Sequence, residues 1–500
     1  MHIPNKNAQQ SQWHLVPISG FSEMDVKEKS IALTRFTQQN PQIELKKISA
    51  LLGHESVKGT FRKAIVANST SYLAEQLTTN GQAGIVNNSA THKPKIVFMF
   101  TGIGDHYVQM GRGLYEKIPY FRDILDKCAA ELRPYLGVSI TELLYPQETP
   151  TETASFDLAA MLGRQKPVNQ QENSAEAHLQ KTEIAHPLVF SIEYALSQLL
   201  QHWGVRPDAL IGYSLGEYVA ATIAGVLSLE EALLLVAKRA QLIQALPLGK
   251  MLAIPLSKTA VTPYLNNHVS LSAHNGQSLT ILAGETEAIL SVQQQLLEQQ
   301  IACRLLDTTH AFHSHMMQPA TMELTSIAQL FPCKAPQIPY LSNVTGNWIT
   351  AKQAADPTYW SQHMCQPVQW FTMLQTLLNQ DDTVQLIEIG PGQSLSSFVK
   401  QHPQCKQEQY SAIHPTLRYS YDQQNDHQFL LSTLQKLWLS GIDLNWNAIF
   451  QNDQEASVSK QELPLILGIS QPIPQKTFKQ KDRGEKRRQN RLSRRKRVSG

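Results

Sequence analysis

The 500-residue sequence has little of what marks several common classes of protein. Its five cysteines, Cys128, Cys303, Cys333, Cys365 and Cys405, are scattered and form no CxxC pair. That argues against a disulfide scaffold or a cysteine zinc site and fits a reducing compartment. No run approaches the ~18 consecutive apolar residues of a membrane span. The opening MHIPNKNAQQSQWHLVPISG has no basic start followed by an apolar core, so no secretory leader is expected and the expected location is cytoplasmic. Neither a GxxxxGK[ST] phosphate loop nor a full GxGxxG fingerprint occurs. Basic residues are in the minority until the end. Residues 476–500 hold twelve Lys or Arg against two acidic residues, a net +10, while the whole chain is +3, so residues 1–475 carry −7. A protein that grips nucleic acid through its fold spreads basic residues over the folded face, so nucleic acid is not an expected partner.

What is present is a globular composition, 42% apolar and 17% charged, able to bury a sizeable core. Residues 12–92 alternate strand-like and helical segments and end in the polar stretch AGIVNNSATHKP. At Lys95 the buried-strand run KIVFMF breaks into a loop with two glycines, TGIGDHY. Residues 147–182 read as a polar surface insertion. The helix PLVFSIEYALSQLLQHWG, the strand DALIGY and a helix from about Ser214 follow, an alternation that favours an α/β layer on a parallel sheet. Residues 251–306 change rhythm to strand, helix (TAVTPYLNN), two strands, helix and strand, the order of a small ferredoxin-like unit inserted in the larger one. The tail after about Pro474 has no apolar period and reads as disordered.

The sharpest chemical signal is Gly212-Tyr213-Ser214-Leu215-Gly216, which follows an apolar strand and opens a helix, the setting of a nucleophile elbow. A serine needs a base. Three histidines in six residues, His310, His313 and His315, lie about a hundred residues downstream, with His313 the candidate. Arg239 sits at helical spacing from Leu235, Leu242, Ile243 and Leu246, so it is expected to be partly buried. A buried guanidinium needs an anion: an internal carboxylate on the bland reading, a substrate carboxylate on the functional one. Gly102-Ile103-Gly104 can present a backbone N–H to an oxyanion. Gly390-Pro391-Gly392 reads as a structural turn.

Taken together, FMFTGIGDHYVQMGRGLY, IGYSLGEYVAATIAGVLSLEEAL, KRAQLIQ, THAFHSHMMQP and IEIGPG resemble, in order and spacing, the malonyl-CoA:acyl-carrier-protein acyltransferases. Over roughly residues 12–475 the chain resembles the acyltransferase domain of modular polyketide synthases in particular. The resemblance implies an α/β fold with a hydrolase-like large subdomain (93–246 and 309–400) and an inserted ferredoxin-like small subdomain (247–308). An αβ linker domain (12–92) would precede it, and a post-acyltransferase segment (401–475) and the basic tail (476–500) would follow. It implies Ser214 as acylated nucleophile, His313 as its base and Arg239 as the clamp on the free carboxylate of malonate. Ile103 and Leu215 would lend the oxyanion-hole N–H groups, and His363 lies near the position whose backbone carbonyl orients the base. Phe312, His310, Tyr213 and Asn275 would line the substrate cleft. His-Ala-Phe-His at 310–313 accompanies malonyl in that family, where Tyr-Ala-Ser-His accompanies the α-methyl extender. Two positions depart from the family: Tyr213 stands where histidine is usual and Ile103 where glutamine is usual.

The implied reaction moves malonyl from coenzyme A to Ser214 and then to the phosphopantetheine thiol of an acyl carrier protein. Other expected partners are a ketosynthase or other synthase modules. No permanent cofactor and no metal is implied. A serine hydrolase or proofreading thioesterase shares the serine and histidine but wants an orienting acid between them, and Asp307 lies in that interval. A non-catalytic docking protein on the same fold is the third reading.

Overall fold

A computed structural model of the chain describes residues 12–55, 59–78, 84–88, 93–146, 175–379 and 384–450. The basic tail, the LPLILGISQPIPQ stretch before it and most of the polar 147–182 segment lie outside these residues. Among the described residues twelve strands occur in chain order: β1 (His14–Gly20), β2 (Phe61–Ala67), β3 (Val86–Asn87), β4 (Lys95–Phe100), β5 (Ala209–Gly212), β6 (Lys250–Ile254), β7 (Val269–Gly276), β8 (Leu279–Gly284), β9 (Arg304–Leu305), β10 (Tyr340–Leu341), β11 (Val384–Ile389) and β12 (Ile413–Pro415).

The central sheet has the order β10-β5-β4-β11-β12, and all its pairs are parallel. KIVFMF forms its middle strand, buried from Ile96 to Phe100, because helices cover both faces of such a sheet. Strand order runs outward from β4 in both directions. This places a switch point beside β4, where the carboxyl ends of β4, β5 and β11 open a crevice. Helices Pro119–Leu136, Thr182–His202 and Leu229–Gln244 pack together over the sheet, and a capping box of Ser228 with Glu231 starts the last of them.

The small unit pairs its strands antiparallel in the order β7-β8-β6-β9. Its own core gathers Leu252, Ile254, Val269 and Leu282 with Ile289, Val292 and Leu296 of helix Thr286–Glu298. The order is the expected ferredoxin-like one, with one correction. The helix expected over TAVTPYLNN is a single 3-10 turn, Thr262–Tyr264. Pro263 lacks the N–H of a helix interior and biases the residue before it away from helical backbone.

The described residues between 14 and 87 fold as β1-β2-β3 with helices Glu23–Gln39, Leu45–Glu55 and Thr70–Thr78 around a separate core that includes Val16, Ile18, Val26, Leu33, Ile48, Ile65 and Leu73. The expected end of the large subdomain at residue 400 falls short, because β12 adds a fifth strand to the central sheet. The chain beyond it returns to the linker. Arg62 of β2 donates to the carbonyls of Trp438 (2.8 Å) and Ile442 (3.3 Å), pairs with Asp443 (3.0 Å) and lies over the Trp438 ring. The long helix expected from Pro187 begins a turn earlier, at Thr182, and keeps Pro187 inside it at the cost of one backbone bond.

Candidate active site

β5 ends at Gly212, and the chain turns into helix Gly216–Ile223 through Ser214, whose φ of +50° lies in the left-handed region. Only glycine fits on either side. A Cβ at Gly212 would come within 2.2 Å of the Gly216 carbonyl carbon, and one at Gly216 within 2.3 Å of the Phe100 carbonyl oxygen. Asn343 clamps the turn: its Oδ1 accepts from the Ser214 N–H (2.9 Å) and its Nδ2 donates to the Gly212 carbonyl (2.7 Å).

His313 Nε2 lies 2.6 Å from Ser214 Oγ. Its Nδ1 faces two carbonyls, those of His363 and Gln366, each at 3.0 Å. Both carbonyls belong to the C-terminal end of helix Tyr359–Cys365, where the last carbonyls have no partner within the helix. They place the proton on Nδ1 and leave the Nε2 lone pair for the serine proton. Burial, and then the neighbouring His363 and Arg239, hold the His313 pKa down to about 3, so the resting imidazole is neutral. Among the described residues no carboxylate contacts the His313 ring, and Asp307 is exposed. The other two histidines of the cluster turn elsewhere, His310 to Thr309 (2.9 Å) and His315 to Ser270 (2.8 Å).

Arg239 is 1% exposed, so the side chain is fully rather than partly buried. No carboxylate lies within ion-pair distance of it among the described residues. Its Nη1 instead meets His186 Nδ1 at 2.9 Å, its guanidinium lies 5.4 Å from the Tyr218 ring centroid, and its Nε has no protein partner. Burial first, and Arg239 next, press the His186 pKa far below its ordinary value, so this neighbour supplies no counter-charge and no second cation. A desolvated guanidinium without an anion is costly. An acidic ligand would supply one.

Phe312 lies 5.5 Å from the His186 ring and 6.3 Å from His310, with its carbonyl held by Ser272 Oγ of β7 at 2.9 Å. The Tyr213 hydroxyl donates to Asn275 Oδ1 across the two subdomains (3.0 Å), and the ring stands edge-on to Trp370. Burial lifts the Tyr213 pKa to about 12, so it is a neutral phenol. Gly102 lies against the elbow: a Cβ there would sit 3.1 Å from the Tyr213 carbonyl. The backbone N–H groups of Ile103 and Leu215 have no hydrogen-bond acceptor among the described residues. Leu215 caps the N-terminal end of the elbow helix, a favourable place for negative charge.

The structure thus brings Ser214, His313 and the His363 carbonyl into direct contact and joins Tyr213 to Asn275. It sets Phe312 and His310 beside one another. The sequence reading missed Asn343, the Gln366 carbonyl, His186 and the fully buried Glu217. Glu217 alone left a trace, as a charge in the otherwise apolar helix GEYVAATI. The arrangement can deprotonate a serine, hold an oxyanion and bind an acidic group. Among the described residues no cluster of side chains could hold a metal ion, and no helix is long and apolar enough to cross a membrane.

Known proteins share this architecture. A family model described as an acyl transferase domain matches residues 97–444. The acyl transferase domain of ZmaA is 33% identical and superposes with a TM-score of 0.77, covering 90% of this chain and 98% of that one. The acyl transferase domain of SpnD, solved in complex with 2-(pent-4-yn-1-yl)malonyl, is 30% identical with a TM-score of 0.72 over 86% of this chain and 97% of that one. A phenolphthiocerol/phthiocerol polyketide synthase polypeptide of Mycobacterium tuberculosis is 32% identical over 370 residues, 73% of this chain and 23% of that protein. Polyketide synthase GfsB of Streptomyces halstedii is 29% identical over 464 residues, 90% of this chain and 8% of that protein. The chain therefore spans less than a quarter of the length of these curated relatives.

Proposed function

The chain belongs to the acyl transferase domain family of polyketide synthases, and from this we propose that it moves a malonyl group in two steps through Ser214. In the first step Ser214 Oγ attacks the thioester carbonyl of malonyl-CoA while His313 Nε2 takes the serine proton. The oxyanion rests on the Ile103 and Leu215 N–H groups. As the carbon–sulfur bond breaks, His313 returns the proton to the departing coenzyme A thiolate. In the second step the phosphopantetheine thiol of an acyl carrier protein gives its proton to His313 and attacks the seryl ester. Ser214 leaves, regains the proton, and the carrier holds the malonyl thioester. Arg239 binds the free carboxylate throughout.

The observation that carries the malonyl reading is Arg239, buried beside the serine–histidine pair without an acidic partner among the described residues. A substrate carboxylate would supply the missing charge as a bidentate partner. The substituted malonyl group in the SpnD domain complex lends support from a relative. Phe312 supports malonyl over an α-methyl malonyl, because its ring lies 5.5 Å from His186, the residue that meets Arg239, and so fills space near the proposed carboxylate site. The carrier protein and a ketosynthase are proposed partners, and the five free cysteines suit a cytoplasmic setting. The hydrolase reading asked for an orienting acid at Asp307, and that residue is exposed while carbonyls hold the base.

Incubation with malonyl-CoA followed by intact-mass and peptide analysis tests the proposal. A malonyl ester on Ser214 that persists without a carrier is expected. Steady release of free malonate would turn the reading to a hydrolase, and no adduct would remove it.

A further inference from the structure

Behind the serine–histidine pair lies a carboxylate that neither step uses. Glu217, the second residue of the elbow helix, is 0% exposed. Its Oε2 accepts from the Asn343 backbone N–H at 2.7 Å and from the Asn343 side-chain amide, and its Oε1 accepts from the Tyr359 hydroxyl. His363 Nε2 approaches Oε2 to 3.3 Å without the alignment of a hydrogen bond. An apolar side chain of the same size would fill this place without desolvating a carboxylate. Its presence calls for a use.

The donors belong to two separate parts of the catalytic machinery. Asn343 is the clamp that holds the Ser214 N–H and the Gly212 carbonyl. Tyr359 and His363 lie one turn apart on helix Tyr359–Cys365, whose C-terminal carbonyls aim His313. Ser214 and His313 both occupy left-handed backbone, at φ +50° and +55°, which a non-glycine residue keeps only where its surroundings impose it. Glu217 bonds to both surroundings with the two oxygens of one side chain.

We infer that Glu217 is a positioning residue for the acyl transfer, fixing the Ser214–His313 spacing by tying the Asn343 clamp to the helix that orients the base. It touches no reacting atom. The inference rests on the roles given to Ser214 and His313 above. Its chemistry requires an acceptor toward Asn343 more than it requires a charge. A glutamine can meet that need, turning its amide oxygen to Asn343 and its nitrogen to the Tyr359 oxygen, since the Tyr359 hydroxyl already has Ser342 Oγ at 2.6 Å as a second acceptor. A leucine cannot.

The test is single-turnover malonyl loading of the full chain, with the rate counted per loadable serine and thermal unfolding measured alongside. Glu217→Leu should slow loading about 10- to 100-fold at saturating malonyl-CoA, the scale of a small misplacement of reacting groups, with half-saturation unchanged. Glu217→Gln should restore most of the rate. Loading by Glu217→Leu at the unaltered rate, even in a less stable protein, would overturn the inference, as would a half-saturation that shifts in place of the rate. If Glu217→Leu does not fold, Tyr359→Phe takes its place: it leaves Glu217 and its bonds to Asn343 intact, removes the hydroxyl link to the helix together with its contact to Ser342, and should slow loading several-fold, and an unaltered rate again overturns the inference. Fluorophosphonate labelling of Ser214 gives the same comparison without a malonyl pocket. An unaltered protein that ignores malonyl-CoA therefore counts against the proposed function and leaves this inference open to its own refutation.

Discussion

Replacing Arg239 by alanine separates recognition of a substrate carboxylate from support of the fold. The guanidinium is 1% exposed and has no acidic partner among the described residues, so its removal breaks no internal ion pair there. What the resting protein loses is the contact with His186 Nδ1, the packing over Tyr218 and some side-chain volume. It also loses the cost of an uncompensated buried charge, so the unfolding temperature should change little. In the acylated protein the same substitution strands the malonyl carboxylate in a dry site. Truncating one partner of a buried charge pair costs about 2–5 kcal/mol. At about 1.4 kcal/mol per tenfold, that is roughly a 30-fold to several-thousand-fold loss in loading. Acetyl-CoA has no carboxylate to strand and should load at nearly the unaltered rate. The assay is quenched-flow loading with each thioester, read by intact mass, with thermal unfolding in parallel. Equal losses on both thioesters, or a large fall in unfolding temperature with no change in substrate preference, would refute the reasoning.

Ser214→Ala should abolish loading and leave thermal unfolding near its original value, since a small side chain still fits between Gly212 and Gly216; a malonyl adduct in that variant would remove the nucleophile assignment. Phe312→Ser should narrow the preference for malonyl over methylmalonyl by admitting the α-methyl group; because one methyl is worth about 1–3 kcal/mol, the starting preference should be roughly 10- to 200-fold in competitive loading. Stability should fall with acidity. Burial is the leading cause that depresses His313 to about 3 and His14, His414 and His427 to about 4. Below pH 6.5 the unfolded chain gains protons that the folded chain refuses, so each such histidine should cost up to about 2 kcal/mol at pH 5. Chemical denaturation at pH 7 and pH 5 checks this, and equal midpoints would contradict it.

The parts of the fold and site legible in the sequence were those written locally. A strand buried on both faces must be apolar, and residues 96–100 are, behind an exposed Lys95. A turn too tight for side chains must have glycines, and Gly212 and Gly216 flank Ser214. An arginine among leucines betrays its burial, though the sequence could not say whether a carboxylate met it; the absence of one among the described residues emerged only when the helices were packed. Long-range pairings left little trace. Asn343 reaches Ser214 across 129 residues, and nothing about one asparagine after a short strand marks it as a clamp. The three-residue β12 carries too little pattern to be found alone, and it moved the subdomain boundary. Pro263 turned an apparent helix into one 3-10 turn, whereas Pro187 was absorbed into a long helix whose tertiary packing outweighs one lost bond.

The most direct test of the two-step transfer loads the protein with labelled malonyl, removes free thioester, and mixes it with a phosphopantetheinylated acyl carrier protein. Transfer predicts that label leaves Ser214 and appears on the carrier thiol in equal amount, with little free malonate, and that the seryl ester persists when the carrier lacks its thiol arm. Label appearing as free malonate at the same rate with or without the thiol would contradict it.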